Sequence, residues 1–365
     1  MFQKLIDYSI SHKLVVGVMT IAVAIWGIWS LVNLPFDSTP DITDNQVQVI
    51  TQAPALGAQE VEQNITTPIE MALIPRLEER RSISRSGLSV ITLVFDDDAD
   101  IYWARSQVSQ MLQEAVKELP KNTDTEMGPI ATGLGEIFHY TVRTKKGYEN
   151  KYSLTDLRTI QDWIVRKQLS GTPGIAEVSG WGGYVKQYEV AINSDRLSAN
   201  GITVAEVFDA LQKNNANTGG SYIEEKSNQY FIRGLGMVKS LADIAAITVK
   251  NVNGTPVSVG DVATVQLGHA TRFGAVTRNG EGEVVAGIAI MLKGENFQQV
   301  IKNVKERIGQ IQKSLPEGVV IEPFIDRTNL VDRVEGTIAR NLIEGGLIVI
   351  FVLILFLGNY RAGLV

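Results

Sequence analysis

Glu136 closes the segment Thr132-Gly133-Leu134-Gly135-Glu136, just ahead of an extended-looking run at residues 137–143. A glycine-rich turn there would hold the carboxylate at the edge of a cleft. Carboxylate oxygen suits a hard or borderline divalent cation, whereas monovalent copper prefers thioethers. The competing reading is a solvated glutamate that ends a loop. His139 stands three residues on, and in a regular strand residues three apart face opposite sides, so it is not counted as a second ligand. Asp96, Asp98 and Asp100 fall at i, i+2 and i+4, like the start of a calcium loop. Position 6 of that loop is Ile101 instead of Gly and position 12 is Gln107 instead of Glu, so the calcium reading fails. Asp100 is better read as the cap of the helix that follows.

Other chemistry is sparse. The histidines are His12, His139 and His269, and cysteine is absent, which removes thiolate catalysis, iron–sulfur clusters and disulfides. The patterns H-E-x-x-H, G-x-x-x-x-G-K-[ST] and G-x-S-x-G do not occur. Gly133-Leu134-Gly135 is only a fragment of a dinucleotide fingerprint and reads as a turn. Met19, Met71, Met111, Met127, Met237 and Met291 are scattered as core fillers would be. Glu344 reads as an interfacial residue at the outer edge of an apolar run. No catalytic residue and no cofactor is assigned.

The elements that must position Glu136 begin at the two ends of the 365 residues. Residues 14–32 carry no charge, and at about 1.5 Å rise per residue they span roughly the 30 Å hydrocarbon core of a bilayer. The run is longer than the apolar stretch of a cleaved leader and lacks a small-x-small site after it. Residues 345–358 form a second block, apolar on every face, which suits lipid better than water. Lys4 and Lys13 precede the first block and Asp37, Asp41 and Asp44 follow it, while Arg361 follows the second. The positive-inside rule then places both ends in the cytoplasm and residues 33–343 outside. With 34 Lys+Arg against 40 Asp+Glu, net −6, a nucleic-acid partner held by counterion release is disfavoured.

Between the blocks, strand and helix signals alternate. Val47, Val49 and Thr51 alternate as a strand, residues 58–72 read as a helix, and residues 90–95 as a second strand. From Ile101, Ala104, Val108, Met111, Leu112 and Ala115 follow helical spacing up to Pro120. The order returns as strand 137–143, helix 154–169 capped by Ser153, strand 175–179, strand 284–292, helix 297–314 and strand 319–325. Sliding the first half by 196 residues lays 91–120 on 287–316 without a gap. This is a duplicated βαβ-βαβ order whose second copy is opened between about residues 183 and 272. The insert reads as a small α+β unit with strands 188–192 and 229–234, a helix at 203–214, a loop at 214–221 and an Asn253-Gly254 hairpin turn.

Specific segments resemble the heavy-metal, CusA/CzcA-type branch of the resistance-nodulation-division efflux pumps. They are Leu34-Pro35-Phe36-Asp37-Ser38-Thr39-Pro40-Asp41-Ile42-Thr43, Val61-Glu62-Gln63-Asn64-Ile65-Thr66, Arg81-Ser82-Ile83-Ser84-Arg85-Ser86-Gly87-Leu88-Ser89, Gly128-Pro129-Ile130-Ala131 running into the Glu136 turn, Leu157-Arg158-Thr159-Ile160-Gln161-Asp162-Trp163, and Asn359-Tyr360-Arg361-Ala362-Gly363-Leu364-Val365. The resemblance implies membrane α-helices plus an α+β periplasmic region. That region holds two ferredoxin-like porter subdomains, the second split by an α+β docking insertion. The expected divisions are 1–33 (N-terminus and first transmembrane helix), 34–132 (first porter subdomain), 133–183 and 273–335 (second porter subdomain), 184–272 (docking insertion), 336–360 (second transmembrane helix) and 361–365 (start of a truncated next segment).

It further implies an inner-membrane, proton-driven exporter of metal cations that works as a homotrimer with a periplasmic adaptor and an outer-membrane channel. In pumps of this kind an acid at the place of Glu136 belongs to the cargo path, and the docking insertion sends an arm into the neighbouring protomer, here at Gly219, Gly220 and Ser221. The family's proton-relay acids and the copper branch's methionine cluster lie beyond these segments, so none is assigned. The chain is expected to be the N-terminal portion of a longer pump. The alternatives are a drug exporter of the same superfamily and, in another class, a two-span receptor with an extracytoplasmic sensor.

Overall fold

The computed structural model describes residues 11–32, 43–73, 77–226, 228–252, 254–272, 274–358 and 360. The first helix, α1 (Lys13–Val32), has its described side chains exposed along its length. A first α/β unit follows: β1 (Asn45–Gln52), α2 (residues 58–72), β2 (Glu79–Arg85), β3 (Leu88–Phe95), α3 (Ile101–Ala115) and β4 (Asp124–Met127). β1 alternates inward Val47, Val49 and Thr51 with more outward Gln46, Gln48, Ile50 and Gln52. The Asp100 carboxylate starts α3 by accepting from the Tyr102 and Trp103 amides at 2.7 and 2.9 Å, as expected of a cap. Ala104, Val108 and Leu112 on α3 then close over Ile91 and Leu93, each large aliphatic side chain contributing about 1.5–3 kcal/mol by burial. The sheet is antiparallel in the order β2-β3-β1-β4.

A second unit opens with β5 (Glu136–Thr144), α4 (residues 154–169) and β6 (Ile175–Trp181). The chain then leaves through Gly182 and Gly183, both with positive φ. A Cβ on Gly182 would fall 2.3 Å from the Val284 carbonyl oxygen, so only glycine fits that turn. The insertion comprises β7 (Lys186–Ile192), α5 (Ser194–Ala199), α6 (Val204–Lys213), β8 (Thr218–Glu225), β9 (Asn228–Gly234), α7 (Leu241–Ala245), β10 (Thr248–Val252), β11 (Thr255–Ser258), α8 (Val259–Val262) and β12 (Ala263–His269). Its neck is a stack: the Tyr184 ring lies 4.7 Å from His269 and 4.1 Å from the Arg272 guanidinium, and Arg272 pairs with Glu283.

The second unit resumes with β13 (Val276–Thr277), β14 (Glu283–Met291), α9 (Phe297–Ser314) and β15 (Val319–Asp326), and the chain runs into α10 (Thr328–Leu357). The sheet order β6-β14-β5-β15 repeats that of the first unit. α3 and α9 begin 196 residues apart (297 − 101), each behind an acid or amide cap, Asp100 and Asn296. The first helices match as well: α2 contains a π turn at Glu62–Thr66 and α4 one at Gln161–Val165. Each π turn brings a polar side chain fully inside, where Thr66 meets Ser84 and Ser89 and Gln161 donates to the Tyr140 hydroxyl at 3.0 Å.

Three expectations change. β2 and β4 had no alternating apolar signal, because the edge strand β2 is exposed on nearly every residue and β4 is four polar-rich residues long. The loop expected over residues 214–221 gives way to strand from Thr218, since β8 pairs with β9 in an exposed antiparallel hairpin whose Tyr222 and Phe231 stand opposite one another. The second apolar block is the end of a longer helix: α10 has 30 residues and stops at Gly358, whose φ of 59° is a left-handed cap. Within α10, Gly336–Leu357 is the one helical stretch among the described residues long and apolar enough to cross a membrane, whereas Leu14–Ser30 in α1 is a shorter apolar helix. Glu344 directly precedes the fully apolar run, with Arg340 at 3.8 Å one turn before it. The expected Asn253 turn residue falls outside the described residues, although Val252 and Thr255 do pair across it.

Candidate functional site

The connection from β4 to β5 carries the candidate carboxylate. Thr132 precedes a single 3-10 turn at Gly133–Gly135, and Gly135 is packed so closely on β14 that a Cβ would stand 2.9 Å from the Met291 carbonyl oxygen. Arg327, at the head of α10, donates to the Leu134 carbonyl at 2.9 Å. Glu136 then emerges with its side chain half exposed.

His139 is where the structure departs from the sequence reading. Ala289 pairs with Phe138 but Ile290 pairs with Glu136, so Ile137 is an extra residue in β5. Such a bulge breaks the two-residue alternation. Ile137 and Phe138 both enter the core, and Glu136 is returned to the face of His139. Glu136 Oε2 lies 3.4 Å from His139 Nε2. A second irregularity, where β15 pairs Pro323 with Tyr140 but Ile325 with His139, leaves Phe324 unpaired. Its ring meets the His139 imidazole edge-on at 5.7 Å.

The electrostatics favour a neutral imidazole. Burial pushes the His139 pKa below its ordinary 6.5, the Glu136 carboxylate opposes that shift and the Arg327 charge adds to it. A neutral imidazole nitrogen ligates metal whereas imidazolium does not. Zinc takes histidine nitrogen and carboxylate oxygen at about 2.0–2.2 Å in tetrahedral geometry, which sets two donors about 3.4 Å apart. The pair already has that separation. Among the described residues no group of three or more His, Asp or Glu side chains could enclose an ion, so this is an open two-donor contact, not a resident metal centre.

The other site candidates lie far along the chain, in the insertion. Gly219 pairs with Arg233 and Tyr222 with Phe231, so Gly220 and Ser221 form a bulge in β8. All residues of β8 and β9 are exposed, Tyr222, Ile223, Tyr230, Phe231 and Ile232 among them. Sequence reasoning missed His139 and the cations around the Glu136 turn, Arg327 and Lys293. The adjacent apolar pair Ile137-Phe138 was the available hint of a bulge.

The described chain is two α/β units of the same strand order, one opened by an insertion and followed by a long apolar helix. The chain belongs to the AcrB/AcrD/AcrF family, whose model matches residues 5–365. It is 46% identical over its whole length to the cobalt-zinc-cadmium resistance protein CzcA of Cupriavidus metallidurans and 38% identical to the cation efflux system protein CusA of Escherichia coli K12. In each case the chain covers 35% of the relative's length. A solved structure described as a heavy metal efflux pump superposes on 99% of this chain with a TM-score of 0.90 at 32% identity, the match covering 36% of that pump. The chain thus spans about a third of the length of the relatives it matches.

Proposed function

We propose that this chain forms part of a proton-driven exporter of divalent heavy-metal cations in a bacterial inner membrane. The observation that carries the reading is the superposition on a heavy metal efflux pump over nearly the whole chain. The two α/β units act as ferredoxin-like porter subdomains, and residues 184–272 act as the docking insertion. α1 and α10 cross the membrane, so that the protein is multi-pass with a large periplasmic region. The assembly is a homotrimer with a periplasmic adaptor and an outer-membrane channel. Its arm is the β8–β9 hairpin: an isolated two-stranded hairpin is marginal in water, and this one exposes aromatic and aliphatic side chains on both faces, as expected of a segment that a neighbouring protomer covers.

Glu136 contacts the cargo, and His139 lends a second donor. Oxygen and nitrogen ligands favour zinc, cobalt, cadmium or nickel over monovalent copper. In the full-length protein, Glu136→Gln removes the charge at nearly constant shape and is expected to lower zinc or cobalt tolerance at equal expression. Unchanged tolerance and unchanged metal affinity would eliminate Glu136 as a cargo residue. The transport reading is tested separately: proteoliposomes holding the full-length protein are expected to move zinc when a pH gradient is imposed, and no movement under any gradient would overturn it.

A further inference from the structure

The seam between the two α/β units and the connector beside it are held by two cations that make no ion pair with a carboxylate among the described residues. Lys293, in the turn between β14 and α9, reaches across to the first unit, where its Nζ donates to the Thr43 carbonyl at 3.3 Å and to Asn45 Oδ1 at 3.1 Å. Its main-chain amide donates to the Ile130 carbonyl at 3.1 Å. Asn45 is built to receive it: almost wholly buried, it spends its Nδ2 on the Asp97 and Ala99 carbonyls at 3.3 and 2.6 Å, which turns Oδ1 toward Lys293. Arg327 holds the same connector further along, at the Leu134 carbonyl. Thr132, Leu134, Gly135, Met291, Lys293 and Arg327 line one cleft of about 130 Å³.

We propose that Lys293 and Arg327 are positioning residues, the Lys293 side chain tying the second unit to the first at Thr43 and Asn45 and Arg327 holding the 128–136 connector, which together clamp the two units in one relative orientation and thereby set where Glu136 sits. The chemistry suits a clamp that opens. A buried ion pair broken in half leaves an uncompensated charge, but Lys293 faces neutral oxygens, and both it and Asn45 Oδ1 can be rehydrated when the seam parts. Arg327 couples the same connector to the head of α10, so displacement of that helix pulls on the turn that carries the carboxylate. The clamp rests on geometry alone; its consequence for cargo rests on the reading of Glu136 above.

The test uses the full-length protein with spin labels on cysteines at Glu114 in α3 and Glu306 in α9, both exposed. The 365 residues contain no native cysteine, so this region contributes no background labelling. Lys293→Met keeps the aliphatic stem and deletes the donors. It is expected to broaden the interspin distance distribution and shift the clamped-to-released ratio about tenfold, about 1.4 kcal/mol, with Lys293→Arg restoring the original distribution. Arg327→Gln serves as the independent second variant. Distributions identical to wild type in both variants, with unfolding temperature unchanged, would overturn the clamp. Zinc affinity, read by calorimetry with zinc alone, separates the two layers. A changed distance distribution with undiminished zinc affinity, in a protein where Glu136→Gln does weaken zinc, overturns the link to Glu136. Zinc affinity insensitive to Glu136→Gln sinks the cargo reading and leaves the clamp standing.

Discussion

At the scale of single residues, Gly135 and Ile137 decide what Glu136 can do. Glycine at 135 lets the turn lie against the Met291 carbonyl, and the extra residue at 137 brings the carboxylate round to His139. Gly135→Ala puts a methyl where backbone already stands. The turn must lift, at a cost of about 1–3 kcal/mol for overpacking, and Glu136 moves with it. Zinc affinity of the full-length protein is expected to fall while the fold survives, and calorimetry beside thermal unfolding checks both halves. A variant that binds zinc like wild type would show that the turn does not place the donor. If Glu136 and His139 hold one ion together, Glu136→Gln and His139→Gln are also expected to combine non-additively, as residues sharing a partner do. Additive losses in that double-mutant cycle would separate them. Glu136 was singled out in the sequence as a carboxylate closing a glycine-rich turn, its cargo role remaining the proposal made above, whereas the approach of His139 to it was not legible. A bulge is set by which residue of the neighbouring strand pairs with which, and β14 lies some 150 residues downstream of β5, as the pairing of Ile288 with His139 shows (288 − 139 = 149).

At the scale of elements, the longer helices of the two α/β units were readable almost to the residue because their ends are locally encoded, whereas the short helices of the insertion and the true start of α10 were not. Phe297–Ser314 was expected at the bounds observed, and Ser153 caps its helix as expected, with Asp156 completing a reciprocal box. Strands with a buried face were the easier to read, so β3 was found and its exposed edge partner β2 was not, although the exposed β9 was read as well. The caps themselves titrate. Glu206, in the Thr203 capping box of α6, also accepts from Lys250 at 2.8 Å. The Lys250 hydrogen bond first, then those from Thr203, hold its pKa down at about 2 from an ordinary 4.5. A depressed carboxylate pKa stabilises the fold fully above the unfolded value, and that stabilisation is lost as pH falls through the folded value. Protection of α6 amides from hydrogen exchange, corrected for intrinsic rates, is therefore expected to weaken from about pH 4.5 down to about 2, and to do so less in Glu206→Gln. Equal acid sensitivity in the two proteins would assign the loss elsewhere. The β8–β9 hairpin yields a further expectation: cysteines at Gly219 or Ser221 cross-link to a neighbouring protomer's insertion in the full-length assembly. Uniformly monomeric behaviour of that protein would count against the arm.

At the scale of the whole molecule, the duplication explains why one chain carries two sheets of the same strand order with helices over one face of each. A unit whose sheet is covered on a single face leaves the other free to meet something, and the connector at 128–136 sits where the two units meet. The insertion, by contrast, is joined to the second unit through the Tyr184–His269–Arg272 stack, with Arg272 paired to Glu283 at the start of β14. α1 and the apolar stretch Gly336–Leu357 of α10 leave nearly all their described side chains exposed. Apolar helices with no partner in water are placed by lipid, and the charge asymmetry of Lys4 and Lys13 against Asp37, Asp41 and Asp44 selects the direction in which they are placed. The α/β units and the insertion are accordingly expected outside the cytoplasm and the N-terminus inside. Single cysteines at Ser194, exposed in α5, and at Ser9 test this in intact spheroplasts with a membrane-impermeant thiol reagent, in a region with no native cysteine. Labelling is expected at position 194 and not at 9 until the membrane is permeabilised. Labelling of position 9 alone would reverse the topology, and with it the assignment of the Glu136 cleft to the side from which an exporter collects periplasmic cations.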